Sequence, residues 1–485
     1  MVNKVHLVTY ADRLGKGDVS TLYSRLRKSF PGLFAGIHLL PFYYPIDGAD
    51  AGYDPIDNRV VDKRIGDWQA IKSMASEYEL MADIIVNHIS NASLEFQDVL
   101  QKGESSEYFD LFVTKDKVFG ENAKAEDLAK IFRPRPSPPF TTYDFKSGES
   151  KEFWTTFSQD QIDIDVQSKL GISYLESILN VFADNGIKSI RLDAVGYAIK
   201  IAGTSCFMLA ETFEFIDKVV AMAHQKGIEV LTEIHSHYQT QIDIAKHTDR
   251  VYDFALPPLL LYSIEKGDLM PFVKWLEIRP ENCVTVLDTH DGIGVMDLAS
   301  SDHLPGLLSD SEIDFLIESI HKNTKGNSRK ATGEQASNLD IYQVNSTYYD
   351  ALARDENKYL LARAIQFFCP GIPQVYYVGW LGLENDMALL SENKVGRDIN
   401  RSYVAWDEVE QYAQSSMVRK FNKLIRFRNE NPAFNGVFSF KNTGAHQLEM
   451  TWVNGEDEAI LSFDLAKSEW AIVTRNKGSE KRLSL

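Results

Sequence analysis

The chain has 485 residues, of which 44% are hydrophobic and 25% charged, a composition typical of a soluble globular protein with a large core. Its net charge of −18 disfavours nucleic acid and anionic membrane surfaces as partners. No apolar run approaches the roughly 18 residues of a membrane span, and the first residues lack the apolar region and cleavage site of a signal peptide. We therefore expect a cytoplasmic protein that does not contact a membrane.

Short β-like segments alternate with longer helical patterns along most of the chain. The strand candidates are residues 4–9, 36–42, 81–88, 189–195, 229–235, 251–257, 283–290 and 371–378. Most are continuous apolar runs, as expected for parallel strands covered on both faces, and helical patterns lie between them at 19–30, 172–186 and 211–227. The alternation predicts an α/β fold, a (β/α)₈ TIM barrel. A doubly wound sheet is the alternative, but no glycine-rich dinucleotide fingerprint follows the first strand.

Two gaps between the predicted strands are too long for plain loops. Residues 89–168 follow the third strand and residues 291–355 follow the seventh, so both leave a carboxyl end, where barrel enzymes build active sites. After residue 435 the pattern changes to alternating strands of a small antiparallel domain. The predicted organisation is a barrel in three parts (1–88, 169–290 and 356–434), inserted domains B (89–168) and B′ (291–355), and a C-terminal β domain (435–485).

The three cysteines, Cys206, Cys283 and Cys369, are odd in number and widely spaced. This spacing predicts neither a disulfide framework nor a metal site. It favours buried structural thiols in a reducing cytoplasm.

Three acids stand at or just beyond the carboxyl ends of predicted parallel strands: Asp193, Glu233 and Asp291. An unpaired buried carboxylate is costly, so such positions usually have a reason. Retaining glycosyl transfer needs one carboxylate nucleophile and one carboxylic acid, and a third acid can stabilise positive charge on the sugar. The alternative is that these acids cap helices or pair with Arg191 and His290. Three such acids together favour catalysis.

Two histidines, His88 and His290, also end predicted strands beside these acids. A lone histidine is more often a hydrogen-bonded core residue, but this placement favours binding of sugar hydroxyls. The chain has no histidine and cysteine cluster with zinc spacing, no G-x-S-x-G motif and no P-loop. We predict neither a metal nor a cofactor.

At these residues the chain resembles the α-amylase superfamily of glycoside hydrolases and transglycosylases. Its four signature regions occur in order, as DIIVNH (83–88), IRLDAVGY (190–197), LTEIH (231–235) and VLDTHD (286–291). Further segments are similar to one family within it, the sucrose phosphorylases. They include TYADRLG (9–15), HLLPFYYPIDGADAGYDPID (38–57), RVYDFALPPLLL (250–261), NLDIYQVNSTYY (338–349), PGIPQVYYVG (370–379) and GRDINR (396–401). The resemblance covers nearly the whole chain.

The resemblance implies a role for each matching residue. Asp193 would be the nucleophile, Glu233 the general acid and then base, and Asp291 the stabiliser of the transition state. The implied substrate-binding residues of the glucosyl side are Asp50, Tyr53, His88, Arg191, His290 and Arg397, and the resemblance also implies that Tyr197 and His235 bind substrate. Those of the acceptor side are Arg135, Asp340, Tyr342 and Gln343.

The implied reaction splits sucrose with inorganic phosphate into glucose 1-phosphate and fructose, with retention through a covalent glucosyl-enzyme. The two central acids need different protonation states at one pH, and we expect Arg191 to keep Asp193 ionised. A homodimer is left open.

Phosphate binding by a chain of net charge −18 requires local cations. The RPRP segment offers Arg133 and Arg135, and arginine binds phosphate through paired, charge-assisted hydrogen bonds. The alternative is a basic turn held by two prolines; the resemblance favours Arg135 as the ligand. Because acceptors must exchange, we expect mobility around residues 336–344. Phe132 stands where tyrosine is typical of the family, which leaves acceptor preference open.

Several rival functions share parts of this pattern. Sister phosphorylases act on sucrose 6′-phosphate, glucosylglycerol or glucosylglycerate, but Tyr342 and the intact NLDIYQ segment resemble the sucrose enzymes. A hydrolase or isomerase of the superfamily would have the same three acids and no phosphate dependence. A non-catalytic binding protein on this barrel would lack the acids, which are present here.

Overall fold

The computed structural model of the chain describes residues 1–120, 123–134, 137–301, 304–333 and 337–485. Eight parallel strands in these residues close into a barrel, which confirms the predicted fold. They are β1 (His6–Thr9), β2 (Gly36–Leu39), β3 (Glu79–Ile85), β4 (Ser189–Asp193), β5 (Glu229–Thr232), β6 (Arg250–Asp253), β7 (Cys283–Thr285) and β8 (Ile372–Tyr376). The strands follow chain order around the barrel, and β8 pairs with β1 to close it.

Helices cover the outside of the barrel and fill its connections. Those of the barrel are Val19–Ser29, Trp68–Ala75, Lys169–Asp184, Ala210–His224, Tyr238–Ile244, Leu256–Lys266, Met270–Ile278, Glu356–Phe368, Tyr377–Leu381 and Ser416–Glu430. The connections after β2, β3, β7 and β8 carry Ala49–Gly52, Leu94–Lys102, Lys115–Phe119, Ala125–Ala129, Asp310–Asn323, Asn327–Thr332, Tyr348–Ala351, Met387–Asn393 and Trp406–Tyr412. Of the helices in the described residues, none is both long and apolar enough to cross a membrane.

The interior of the barrel changes from apolar to charged along the strands. Met81, Leu231, Tyr252 and Val284 form an apolar cluster. Side chains alternate along a strand, so the residue that follows Met81 on the same face of β3 is Asp83. The register of the sheet sets Asp83 directly beside Arg191 of β4. The same alternation brings Asp193, at the end of β4, to the face that carries Arg191.

Short antiparallel pairs build the connections at the carboxyl ends of the strands. They join Tyr43–Tyr44 to Asp57–Val61, His88–Ser90 to Gln161–Asp163, Phe140–Asp144 to Ser150–Trp154, and Ile293–Gly294 to Gln343–Val344. The pairing of His88–Ser90 with Gln161–Asp163 ties both ends of the first long connection to the barrel rim. The boundaries of domains B and B′ stay a prediction.

The described C-terminal residues form one antiparallel sheet of five strands. They are β9 (Val437–Gly444), β10 (Gln447–Asn454), β11 (Asp457–Asp464), β12 (Glu469–Asn476) and β13 (Ser479–Arg482). Trp452 of β10 anchors the sheet to the barrel. Its Nε1 donates to the carbonyl of Phe368 at 2.8 Å, and its ring packs on Phe434.

We expect Trp452→Ala to destabilise the protein by about 3–5 kcal/mol, since the change removes a buried aromatic ring that nothing else can replace. Denaturant unfolding followed by far-UV circular dichroism measures the loss. The control is Val453→Ala on the same strand, where the parent side chain is 40% exposed and the expected change is within about 0.5 kcal/mol. Equal stability of the two variants would contradict the anchoring role of Trp452.

Candidate active site

The predicted acids line one cavity of about 370 Å³ at the carboxyl end of the barrel. Two larger surface grooves, of about 1090 and 1030 Å³, contain none of the three acids. The cavity brings together most of the predicted site residues: Asp50, Tyr53, His88, Asp193, Tyr197, Glu233, His235, His290, Asp291, Tyr342 and Arg397. Arg191 and Gln343 are not in the lining, but each contacts a residue that is. Arg191 contacts Glu233, and Gln343 contacts His235. Arg135 and the side chain of Asp340 lie outside the described residues.

Arg191 is the buried centre of the acid cluster. Its Nη1 contacts Asp83 and lies 3.3 Å from Oδ1 of Asp193. Its Nη2 lies 2.5 Å from Oε1 of Glu233. One guanidinium therefore stands between the two predicted catalytic acids. This arrangement holds both carboxylates beside the same part of the cavity.

Burial and Arg191 act on the pKa of Asp193 in opposite directions. Burial, with Glu233 nearby, raises the pKa of Asp193 well above its usual range, although Arg191 acts in the opposite direction. Arg191 favours the ionised form of Asp193, as expected, but burial outweighs it in setting the direction of the pKa shift. Arg191 also lies nearer to Asp83 and Glu233 than to Asp193, which it contacts at 3.3 Å.

Asp291 is held as an anion on the opposite side of the cavity. Its Oδ1 lies 2.8 Å from Nη1 of Arg397 and 3.7 Å from Nη2 of Arg401. Burial alone would favour the neutral acid, but Arg397, together with Arg401, holds the pKa of Asp291 well below its usual range. The site therefore contains one acid that is held ionised, Asp291, and two acids, Asp193 and Glu233, that contact the same arginine.

Asp50 closes this side of the cavity. Its carboxylate lies 3.2 Å from Arg397 and 3.3 Å from Arg401. Its backbone is left-handed, with φ of 52°, a conformation that costs a non-glycine residue free energy and is concentrated at functional sites. The two arginines therefore bind Asp50 and Asp291 together.

Tyr53, His88 and His290 form the aromatic wall beside the acids. The ring of Tyr53 stacks on His290 with centroids 5.0 Å apart and planes 7° from parallel. Nε2 of His88 lies 3.1 Å from the carbonyl of Tyr53 and 3.1 Å from Nε2 of Gln161. Burial lowers the pKa of His290 to about 3, so this ring is neutral near pH 7.

The outer part of the cavity is built from aromatic rings and from a series of polar side chains that contact one another. Phe132 stacks on Phe207 with ring centroids 4.7 Å apart and also faces Tyr197. His235 lies 3.2 Å from Asp297 and 3.1 Å from the amide of Gln343. Burial opposes a charge on His235, but Asp297 raises the pKa of the ring.

The guanidinium of Arg133 is used within its own segment. It donates to the carbonyls of Ser137 and Pro138, each at 3.1 Å, and to that of Thr155 at 3.5 Å. Arg133 also lines the cavity, and its guanidinium is held there by backbone carbonyls of the residues that follow it.

The sequence argument missed three charged residues that support the site. Asp83 and Arg401 lie in segments that were quoted for the resemblance, but nothing in their spacing showed that they contact Arg191 and Asp50. Asp297 follows no motif, and no sequence signal pointed to it. All three act on residues that are distant along the chain.

Glu233, His235 and Asp291 have donor atoms within 4.8 Å of one another, a spacing that a metal ion could use. The charges around them disfavour a cation. Arg191 is ion-paired with Glu233, and Arg397 is ion-paired with Asp291. Positive charge therefore already balances the carboxylates of this group.

Comparison with known proteins decides the family. Residues 12–251 match the family described as alpha amylase, catalytic domain. The chain is 52% identical to the sucrose phosphorylase of Agrobacterium vitis, an alignment that covers 96% of each chain. The chain belongs to the sucrose phosphorylase family.

Two further similarities agree with this family. The chain is 49% identical to the sucrose phosphorylase of Bifidobacterium adolescentis, over 96% of this chain and 92% of that protein. The crystal structure of sucrose 6F-phosphate phosphorylase from Thermoanaerobacter thermosaccharolyticum superimposes with a TM-score of 0.92 at 38% identity, over 100% of this chain and 99% of that one. The fold and its connections are therefore those of this family.

The neutral state of His290 predicts an effect on stability at acid pH. Between the ordinary pKa of 6.5 and the folded value of about 3, the unfolded chain binds a proton that the folded chain does not. The free energy of unfolding should therefore fall as pH falls below 6.5, by up to about 1.4 kcal/mol per pH unit from this residue. His290→Asn should lack this component in urea unfolding at pH 6.5, 5.5 and 4.5. Parallel pH profiles of parent and variant would contradict it.

Proposed function

We propose that the chain is the enzyme that phosphorolyses sucrose to α-glucose 1-phosphate and fructose, reversibly and with retention. The observation that carries the proposal is the arrangement of three carboxylates around one cavity, in a chain of this family. Arg191 lies between Asp193 and Glu233, and Asp291 lies close to Glu233 on the other side. Double displacement at an anomeric carbon requires carboxylates in such an arrangement.

The first displacement transfers the glucosyl group to the enzyme. Glu233 gives its proton to the oxygen that leaves with fructose, while a carboxylate oxygen of Asp193 forms a bond to the anomeric carbon. Asp193 must be ionised at this moment. Glu233 must carry the proton in the same step, and Arg191, which contacts both carboxylates, can stabilise the anion on Asp193.

The second displacement transfers the glucosyl group to phosphate. A phosphate oxygen attacks the anomeric carbon from the side that fructose leaves, and Glu233 takes the proton of that oxygen. The ester bond to Asp193 breaks, which restores the carboxylate. Two inversions at the same carbon give net retention and hence the α-phosphate.

Asp291 stabilises both transition states in this proposal. Positive charge develops on the anomeric carbon, and a carboxylate held ionised by Arg397 needs no reorganisation to stabilise it. Asp50 and Arg397 close the cavity behind this point. A closed end of this kind suits a donor that presents a single glucosyl unit.

Arg135 is the proposed phosphate ligand, with Asp340, Tyr342 and Gln343 on the acceptor side. The position of Arg133 and Pro134 in the cavity lining supports this, because both immediately precede Arg135 in the chain. The contact of Gln343 with His235 places part of the acceptor segment beside Glu233. Mobility of residues 336–344 during acceptor exchange remains part of the proposal.

The other expectations stay proposals with different degrees of support. All three cysteines are buried free thiols, which supports a cytoplasmic location. A homodimer is also proposed, and it is tested by the molar mass in solution. The principal alternative is a sister phosphorylase, since a relative of the same fold at 38% identity is named for sucrose 6F-phosphate.

The reaction itself is tested with sucrose in the presence and absence of inorganic phosphate. We expect glucose 1-phosphate and fructose in equal amounts when phosphate is present, and far slower release of glucose without it. Equal rates of glucose release under both conditions would indicate a hydrolase. Turnover of glucosylglycerol or sucrose 6′-phosphate in preference to sucrose would indicate a sister phosphorylase.

Asp193→Asn should lower kcat by at least about 10³-fold, because the nucleophile is lost. Its stability should not fall, because burial already disfavours the charge on Asp193. Steady-state rates and thermal unfolding measure the two effects. The control, Asp184→Asn at an exposed position of the helix Lys169–Asp184, should retain parental activity. A folded Asp193→Asn enzyme with parental kcat would remove Asp193 as the nucleophile.

A further inference from the structure

Lys200 lies just beyond the cavity, in the connection that follows β4. Its side chain is 3% exposed, and its ammonium is surrounded by oxygen atoms. Nζ lies 2.7 Å from Oδ2 of Asp163 and 3.0 Å from Oδ1 of Asn87. It also lies 3.3 Å from Oγ1 of Thr156 and contacts the carbonyl of Tyr197. The ring of Trp154 packs 5.2 Å away.

These oxygens come from three separate parts of the chain. Asn87 belongs to the end of β3, Tyr197 to the connection after β4, and the other two to the end of the inserted segment 89–168. Each part carries a residue that lines the cavity. His88 follows Asn87, Phe157 follows Thr156, and Tyr197 is itself in the lining. One ammonium therefore joins the three segments whose side chains form this wall.

The polar groups of this cluster are hydrogen-bonding partners of one another. Asp163 is fully buried and also accepts from the backbone and the hydroxyl of Thr156, at 2.9 and 2.5 Å. Asp163 pairs with His88 across the short antiparallel ladder. A buried ion pair stabilises a fold only when its remaining hydrogen-bonding groups also have partners. Such a pair then favours one arrangement of the segments that carry it. The charge on Lys200 therefore sets the register of the inserted segment against the barrel rim.

We propose that Lys200 is a positioning residue of the enzyme, which fixes His88, Phe157 and Tyr197 around the glucosyl and acceptor sites. Lys200 does not line the cavity and takes no part in the chemistry. It acts through the three residues next to its oxygen partners. This inference rests on the proposed function, because its effect is read in the turnover of sucrose.

The test separates positioning from simple stability by removing both charges together. Lys200→Met alone leaves Asp163 buried without its cation and should unfold earlier than the parent. The double variant Lys200→Met/Asp163→Asn has no unpaired charge and should regain most of that stability. Its kcat/KM for sucrose should still lie about 10- to 100-fold below the parent, since displacements of about 1 Å in a catalytic wall cost this much. Thermal unfolding and steady-state kinetics at saturating phosphate are measured on the same preparations.

The matched control is Lys151→Met in the same inserted segment. Lys151 lies 2.5 Å from Glu104 and 2.7 Å from Asp116, and neither acid lines the cavity. This variant should keep kcat/KM within twofold of the parent. The parent assayed alongside must form glucose 1-phosphate from sucrose. If it does not, the proposed function fails rather than the role of Lys200.

A folded double variant with kcat/KM within twofold of the parent would overturn the proposal. If the double variant does not fold, Thr156→Val decides the question, because it removes one oxygen partner and keeps the pair of Lys200 and Asp163. We expect a 3- to 10-fold lower kcat/KM for sucrose in this variant. Parental kinetics of Thr156→Val would then overturn the proposal.

Discussion

The active end of the barrel depends on the buried guanidinium of Arg191. Three carboxylates, those of Asp83, Asp193 and Glu233, converge on it from neighbouring strands and the strand end. Without this cation their mutual repulsion and desolvation would oppose folding, since buried charges persist only when they are paired. The same cation gives Asp193 and Glu233, the two proposed catalytic acids, their unequal surroundings. The burial of these carboxylates and their proposed chemistry therefore both depend on the side chain of Arg191.

A second pair of cations performs the corresponding task for the opposite wall. Arg397 and Arg401 bind both Asp50 and Asp291, and they keep Asp291 ionised at the point where the proposed mechanism develops positive charge on the sugar. A chain of net charge −18 thus concentrates arginines in and directly beside the cavity wall. The local field there is set by these residues and not by the distant surface, because nearby charges in a buried site are weakly screened.

The inserted segments supply the parts of the cavity wall that the barrel strands do not provide. The strands present acids at their ends but cannot by themselves surround a disaccharide. Gln161 and Phe157 come from the segment 89–168, and Tyr342 and Gln343 come from the connection after β7. Their places depend on contacts with the barrel rim, such as those of Lys200 with Asn87 and Asp163. In the proposed mechanism the barrel strands supply the reacting acids, and the attached segments surround the substrate.

The sequence by itself determined the eight strands, the three acids at their ends and the family, because apolar runs mark covered strands and parallel strands end on one face. The quoted motifs also identified most residues that line the cavity. Only the tertiary structure decided how the charges are shared. It paired Arg191 more closely with Asp83 and Glu233 than with Asp193, and it brought Arg401 and Lys200 to their partners. Ion pairs depend on distances of a few ångströms between segments that are far apart in the chain, and spacing along one chain does not contain those distances.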